Sequence, residues 1–419
     1  MPHADVVVVG AGLAGLSLAH RLCAPGRGRA PSVLLIDAPP GPLRPPPRTW
    51  CFWERAGGEF DAVLSGSWRR LRVRGADGAP TVVEPAPLRY KMLRSDAFES
   101  FVERRLAGAA GLRRVTATVR AVRDTPDGGA EVVCLDDGGR RTVYTARYAF
   151  DSRPPRRLPP ARTTLLQHFG GWFLRTEQPV FDPGTADLMD FRTPQPGHGL
   201  SFGYVLPTDP HTALVEYTEF SRTPLDEAGY AHALRRYADE VLGLGRYEVL
   251  GRERGVIPMT DGRFPVRAGA SVFRIGTAGG ATRASTGYTF AAVQRQGRAI
   301  AARLRRGLPP QPVPPYRAWS GAMDAVMLRA LDTGRVDGAA FFTGLFREVP
   351  AERLLRFLDG TSRFHEDLLV GLRTPVAPML RTVAELPFLP RRPASPAAPH
   401  RPRTHPTDRH GRPALPHQE

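Results

Sequence analysis

The 419-residue chain holds only Cys23, Cys51 and Cys134, a single lysine at Lys91, and no long uninterrupted apolar run. Three scattered cysteines make neither a disulfide framework nor a metal cluster, and they fit a reducing cytoplasm. A membrane-spanning helix needs about 20 successive apolar residues, so none is expected. The apolar stretch from Val6 to Ala19 has no basic segment before it and is not read as a secretory leader. No aromatic-plus-basic RNP pattern occurs either, which argues against a nucleic-acid partner.

Arginine is what the chain has in excess. Basic residues number 58 against 41 acidic ones, for a net charge of +17. The preference for Arg over Lys, beside abundant Ala, Gly and Pro, reflects coding composition. The net charge itself still favours an anionic membrane surface, so a cytoplasmic protein held peripherally at a membrane is expected. The apolar share of 42% and charged share of 24% are those of a globular protein. Residues 391–419 are rich in Pro, Arg and His and read as a disordered basic tail. Its histidines are read as solvated, and no metal site is expected.

Asp5 to Val9 is a continuous β-branched run, as expected of a strand buried on both faces of a parallel sheet. Gly10-Ala11-Gly12-Leu13-Ala14-Gly15 follows, then a helical pattern through Leu16 and Leu22, then a second strand, Val33 to Asp37. This is the G-x-G-x-x-G fingerprint in its required strand–turn–helix–strand setting. Gly10 permits the turn, Gly12 admits a pyrophosphate, and Gly15 lets helix and strand approach. Asp37 ends the second strand, where a carboxylate can accept from ribose hydroxyls.

The motif alone does not separate FAD from NAD. Two later features favour FAD. Phe273 to Gly280 runs as a strand into a glycine turn before a helix, where two-dinucleotide-fold flavoproteins return to their cofactor. Gly276, Thr277 and Gly280 are the candidate contacts, with Gly276-Thr277 in place of the usual Gly-Asp. Arg94, at the start of a helix read over 94–107, sits where such proteins often place a flavin-contacting arginine.

Between 164 and 220 the pattern changes to strand-like runs at Leu165–Thr176, Leu188–Arg192, Leu200–Leu206 and Ala213–Phe220, an antiparallel sheet. The expected fold is α/β, a two-dinucleotide-fold flavoprotein with a Rossmann-type FAD domain and an antiparallel-sheet substrate domain. Residues 1–160 with 265–310 form the FAD domain, 48–90 contribute to the substrate side, and 161–264 are the substrate domain. Residues 311–390 are mostly helical.

At this point the residues resemble the bacterial lycopene β-cyclases. The matching segments are Arg48 to Glu54, Phe150 to Pro154, Gln167 to Phe169, Leu188 to Phe191, Leu214 to Thr218, Gly255 to Met259 and Ser285 to Phe290. They keep the family's order and extend to about Asp359. The resemblance implies an isomerase that closes a β-ring at each ψ-end of lycopene, giving β-carotene without net redox change. It implies reduced FAD, kept reduced by NAD(P)H, a carotenoid substrate, and other enzymes of the same pathway as possible partners.

Cyclisation of a polyene end needs an acid that protonates an alkene, a dry pocket, and a base for a neighbouring proton. Glu216 matches the glutamate that family members use in this strand and is the candidate acid/base. Strand alternation puts Leu214, Glu216 and Thr218 on one face and Tyr217 and Glu219 on the other. Trp50, Phe52 and Trp53 form a candidate aromatic wall of the substrate pocket, able to stabilise a carbocation. Asp190 and Glu54 are carboxylates without an assigned role. Candidate membrane contacts are Phe341-Phe342 through Leu345-Phe346 and the run Arg353–Leu358. The rival readings are an aromatic-hydroxylase-type FAD monooxygenase and a carotenoid carrier that kept the fold.

Overall fold

The computed structural model describes residues 4–26, 29–136, 138–311 and 314–393. The chain opens with β1 (Ala4–Val9), α1 (Leu13–Cys23) and β2 (Val33–Asp37). It continues through β3 (Thr49–Arg55), β4 (Gly66–Trp68), β5 (Arg70–Arg74), β6 (Pro80–Val83), β7 (Leu88–Arg94) and α2 (Ser95–Leu106). Then come β8 (Leu112–Thr116), β9 (Thr118–Asp124), β10 (Ala130–Leu135) and β11 (Arg141–Asp151). The next stretch holds β12 (Thr164–Thr176), β13 (Thr185–Asp190), β14 (Leu200–Pro207), β15 (Thr212–Ser221), α3 (Glu227–Arg236) and β16 (Tyr247–Thr260). After β17 (Val272–Arg274) the chain is helical: α4 (Phe290–Arg305), α5 (Ala318–Asp332), α6 (Gly338–Glu348), α7 (Ala351–Leu358), α8 (Phe364–Gly371) and α9 (Val376–Glu385).

Two large sheets organise these elements. In the first, β8, β2, β1, β11 and β17 are parallel neighbours, and β10 and β9 extend it antiparallel from the first half of β11. Val6 to Val9 are almost wholly buried, because helices cover one face and the β9–β10 layer the other. The second sheet has the order β16-β12-β15-β14-β13-β5-β6. It is antiparallel except where β13 runs parallel to β5, so β5 and β6 from the first part of the chain are strands of this second sheet. A small sheet, β3-β7-β4, bridges the two.

Several expectations are adjusted. The sequence does not predict β16, whose alternation of half-buried and exposed residues carries Gly251, Gly255 and Pro258 and reads poorly as a strand. The second glycine turn leads not straight into a helix but into a single 3-10 turn, Gly276–Gly279, and a loop through Thr289. Of the stretch read as a tail from 391, the first residues are held in the fold. Arg392 pairs with Ala161 as an isolated bridge, and Arg391 donates to the Asp261 carbonyl at 2.8 Å. Residues 394–419 lie outside the described part. Neither proposed membrane stretch is a surface: Phe341, Phe342, Leu345 and Phe346, like Leu354 and Leu355, are buried in the core of the second sheet. An amphipathic helix beside a large apolar sheet gains most by burying its stripe there.

Candidate functional site

Gly12 caps α1, and the first turn of that helix leaves its N–H groups free. A Cβ on Gly15 would stand 1.8 Å from the Gly10 carbonyl oxygen, so only glycine allows this helix to sit so close to β1. Around Gly12, by contrast, a Cβ would meet nothing within 4 Å. That open space beside free N–H groups at a helix N-terminus fits a pyrophosphate. Asp37 ends β2 beside it, where Oδ1 accepts from the Ala38 N–H at 2.9 Å and Arg44 reaches Oδ2 at 3.1 Å.

The second glycine turn also meets α1: a Cβ on Gly276 would stand 2.7 Å from that of Ala14. Gly276 N–H donates to Gln296 Oε1 at 3.0 Å, and the Thr277 and Thr282 hydroxyls pair at 3.0 Å. Gly280 adopts the left-handed conformation that closes the turn. The loop that follows carries Tyr288 to the second sheet, where Gly287 lies against the Gln167 side chain of β12.

On that sheet, one row of residues crosses four strands. Tyr204 of β14 pairs with Glu216 of β15, Glu216 with Gly171 of β12, and Gly171 with Glu253 of β16. All four therefore point to one face, toward the first domain. Leu214 and Phe220 share that face and its core, while Val215 and Tyr217 pack under α3 on the other. Gly171 has no side chain to separate its neighbours. A Cβ there would come 2.9 Å from Glu216 Cγ. Glu216 and Glu253 consequently hydrogen-bond to each other across it.

The two carboxyls are not equivalent. Burial, then the Glu253 charge and the bond to Glu253, holds the Glu216 pKa well above the usual range, so Glu216 carries the proton. Burial also raises Glu253, but it accepts from Thr49 Oγ1 at 2.7 Å and from Glu216, and Arg94 and Arg48 lie near it. These contacts oppose the effect of burial at Glu253, whereas at Glu216 the neighbouring Glu253 adds to it. Arg94 Nη1 stands 3.9 Å from Glu253, and its guanidinium covers the Phe173 ring at 4.5 Å. Arg94 lies beside the acid pair, at the junction of β7 and α2.

The expected aromatic wall is divided. Along β3, Trp50 and Phe52 point into the first domain, where Phe52 stacks on Phe290 at 4.2 Å. Cys51 and Trp53 point the opposite way, and Trp53 meets Tyr288 edge-on at 4.5 Å. Adjacent residues of a strand cannot share a face, so Trp53 alone joins the carboxyl side. A buried set of phenols completes it. Tyr90 hydrogen-bonds both Tyr204 and Tyr288, at 3.0 Å for the latter. Burial pushes all three phenols up, and the Cys51 thiol to about 12, so every one of these groups is neutral. Sequence reasoning missed Glu253, Gly171 and the three tyrosines. Tyr288 was within reach, since it lies in a segment that carried the resemblance.

Other candidate carboxylates have structural partners. Asp190 is fully buried and paired with Arg192 and with the Tyr237 hydroxyl, 3.0 Å away. Glu54 and Asp61 hold the buried Lys91 ammonium, whose distance to Glu54 is 3.2 Å.

The class defined by this fold is the two-dinucleotide flavoprotein architecture, here with a protonated carboxyl on its second sheet. The chain belongs to the lycopene cyclase family: the model described as "Lycopene cyclase protein" matches residues 5–384. No curated protein matches the chain. Among solved structures it is similar to a flavoprotein/dehydrogenase from Cytophaga hutchinsonii, with 13% identity, a TM-score of 0.59, and 91% of this chain and 98% of that one covered. It is also similar to p-nitrophenol 4-monooxygenase from Pseudomonas putida (14%, TM-score 0.56, 92% and 98%). A third is a geranylgeranyl bacteriochlorophyll reductase-like protein from Thermoplasma acidophilum (15%, TM-score 0.55, 91% and 96%). Identities this low establish the fold alone.

Proposed function

We propose that the protein closes β-rings at the ψ-ends of lycopene to give β-carotene, with Glu216 as the proton donor. The observation that carries this reading is the Glu216–Gly171–Glu253 row, which sets a buried carboxyl with a strongly raised pKa beside a second carboxyl held by Thr49. Ring closure adds a proton to the terminal double bond, and the inner double bond then attacks the tertiary cation. A proton leaves a ring carbon to form the new double bond. The product is an isomer; no electrons are gained or lost. The pair begins with one proton, gives it up, and recovers one at the end.

Each surrounding group has a task in that sequence. Thr49 orients Glu253, and Arg94 offsets the charge that develops when the pair is deprotonated. The faces of Trp53, Tyr90 and Tyr288 favour positive charge nearby. Their neutral hydroxyls are bonded to one another, so none of the three phenols is a phenolate that could trap the cation.

Gly10, Gly12, Gly15 and Asp37 would hold FAD at the α1 N-terminus, with Gly276, Thr277 and Gly280 as further contacts. Bound there, reduced flavin, kept so by NAD(P)H, would supply an electron-rich ring that favours positive charge. Expression in a lycopene-accumulating bacterium tests the reading. β-Carotene is expected from the native chain and none from Glu216→Gln, whose flavin binding stays intact. Cyclisation should proceed without oxygen, whereas an oxygen-consuming reaction on this substrate would replace the proposal with a monooxygenase.

A further inference from the structure

Helix α8 is turned inside out. Its acidic residues Glu366 and Asp367 are 8% and 3% exposed, while Phe364 is 56%, Leu368 49% and Leu372, just past its end, 60% exposed. The inward carboxylates are satisfied: Glu366 accepts from Arg356 at 2.6 Å and from the Arg363 N–H at 2.8 Å, and Asp367 accepts from the Ser362 hydroxyl. Helix α9 repeats the arrangement. Val376, Leu380 and Val383, spaced as one helical stripe, face outward, while Thr382 is fully buried. Phe388, in the turn after α9, is 86% exposed. A helix that faces water normally presents the opposite sides.

Within α8 and α9 the exposed charge has one sign, with the exposed Glu348 of α6 standing 3.9 Å from Arg373 at their edge. From Arg363 to Ala384 the only carboxylates are Glu366 and Asp367, both turned inward, whereas Arg363, Arg373 and Arg381 are exposed. Beyond it, Glu385 is held by Arg329 and Arg335. Apolar side chains ringed by arginine match an anionic lipid surface, in which leucine and phenylalanine enter the acyl boundary and arginine meets lipid phosphates. Other occupants fit less well. A second copy docked about a two-fold axis would set arginine against arginine. The chain's own residues 394–419 contain one large aliphatic side chain, Leu415, and so offer little apolar surface to match this face.

We propose that α8, α9 and the turn at Phe388 are the surface by which the protein docks on an anionic bilayer. The inference deepens the proposed function, on which it rests for its purpose, since the hydrocarbon substrate resides in membranes.

The test is flotation of the full chain with vesicles of phosphatidylcholine alone or mixed with phosphatidylglycerol, without substrate. Binding to the anionic vesicles at low salt is expected, and L368E/L380E should weaken it by about tenfold or more. R373E/R381E should weaken it and remove most of its salt dependence. Both pairs are exposed, so thermal unfolding should not change. Cyclisation should be lost with substrate in vesicles and kept with substrate in detergent. Unaltered vesicle binding by L368E/L380E overturns the proposal, as does a wild-type chain that ignores anionic vesicles. A dimer that L368E/L380E converts to monomer with lipid binding unaffected would reassign the face to self-association. Vesicle binding without any cyclised product would refute the reaction and leave the surface standing.

Discussion

Glu216 and Glu253 hydrogen-bond across Gly171, a residue that contributes nothing but its lack of a side chain. The strand between two carboxyls ordinarily separates them. Here the glycine turns three strands into a single proton-sharing site.

Gly171→Ala is therefore expected to act on the acid pair. The new methyl lies within 2.9 Å of Glu216 Cγ and must push that side chain aside. Overpacking of this kind costs about 1–3 kcal/mol, which leaves a folded protein. Pigment analysis beside thermal unfolding checks this, and full β-carotene output would separate the pair from the reaction.

Glu253→Gln should move the alkaline limb of activity to lower pH. Removing the Glu253 charge takes away one of the causes that raise Glu216, whose pKa then falls toward the ordinary range. The pH profile with substrate in detergent measures this; a limb that stays in place would show that the two carboxyls do not share a proton.

Glu216 should also mark the stability curve. A carboxyl raised on folding keeps a proton the unfolded chain has lost, so stability falls as pH climbs above the unfolded value of 4.5. Glu216→Gln is neutral throughout. Its midpoint of thermal unfolding is expected to equal or exceed the native one above neutral pH and to depend less on pH.

His168 predicts the reverse slope. Burial lowers it to about 4, and its ring bonds the Ser221 hydroxyl at 2.8 Å and the Tyr230 hydroxyl at 2.9 Å. The unfolded chain takes up the proton first, so stability is lost as pH falls from about 6.5 to about 4. His168→Gln should flatten that part of the unfolding profile and leave the alkaline part unchanged.

Gly12→Ala separates fold from cofactor. Its Cβ enters open space in the protein, yet occupies the position beside the helix N-terminus that fits a pyrophosphate. Unfolding should not change while flavin affinity drops by about tenfold or more, as read by fluorescence titration. Native affinity would place the dinucleotide elsewhere.

Local chemistry made part of this molecule legible in the sequence. The Val6–Val9 run, the spacing of Gly10, Gly12 and Gly15, and Asp37 define the first βαβ unit, since each depends only on near neighbours. The alternation in β15 already set Glu216 and Glu219 on opposite faces. Only the tertiary structure decided that Gly171 and Glu253, each dozens of residues from Glu216, share its row, because strand register is a long-range property. It likewise decided which apolar helices are core and which are surface. Phe341 and Leu368 sit in similar helical patterns, and the packing of α6 against the second sheet, unlike that of α8, is what buries one and leaves the other exposed.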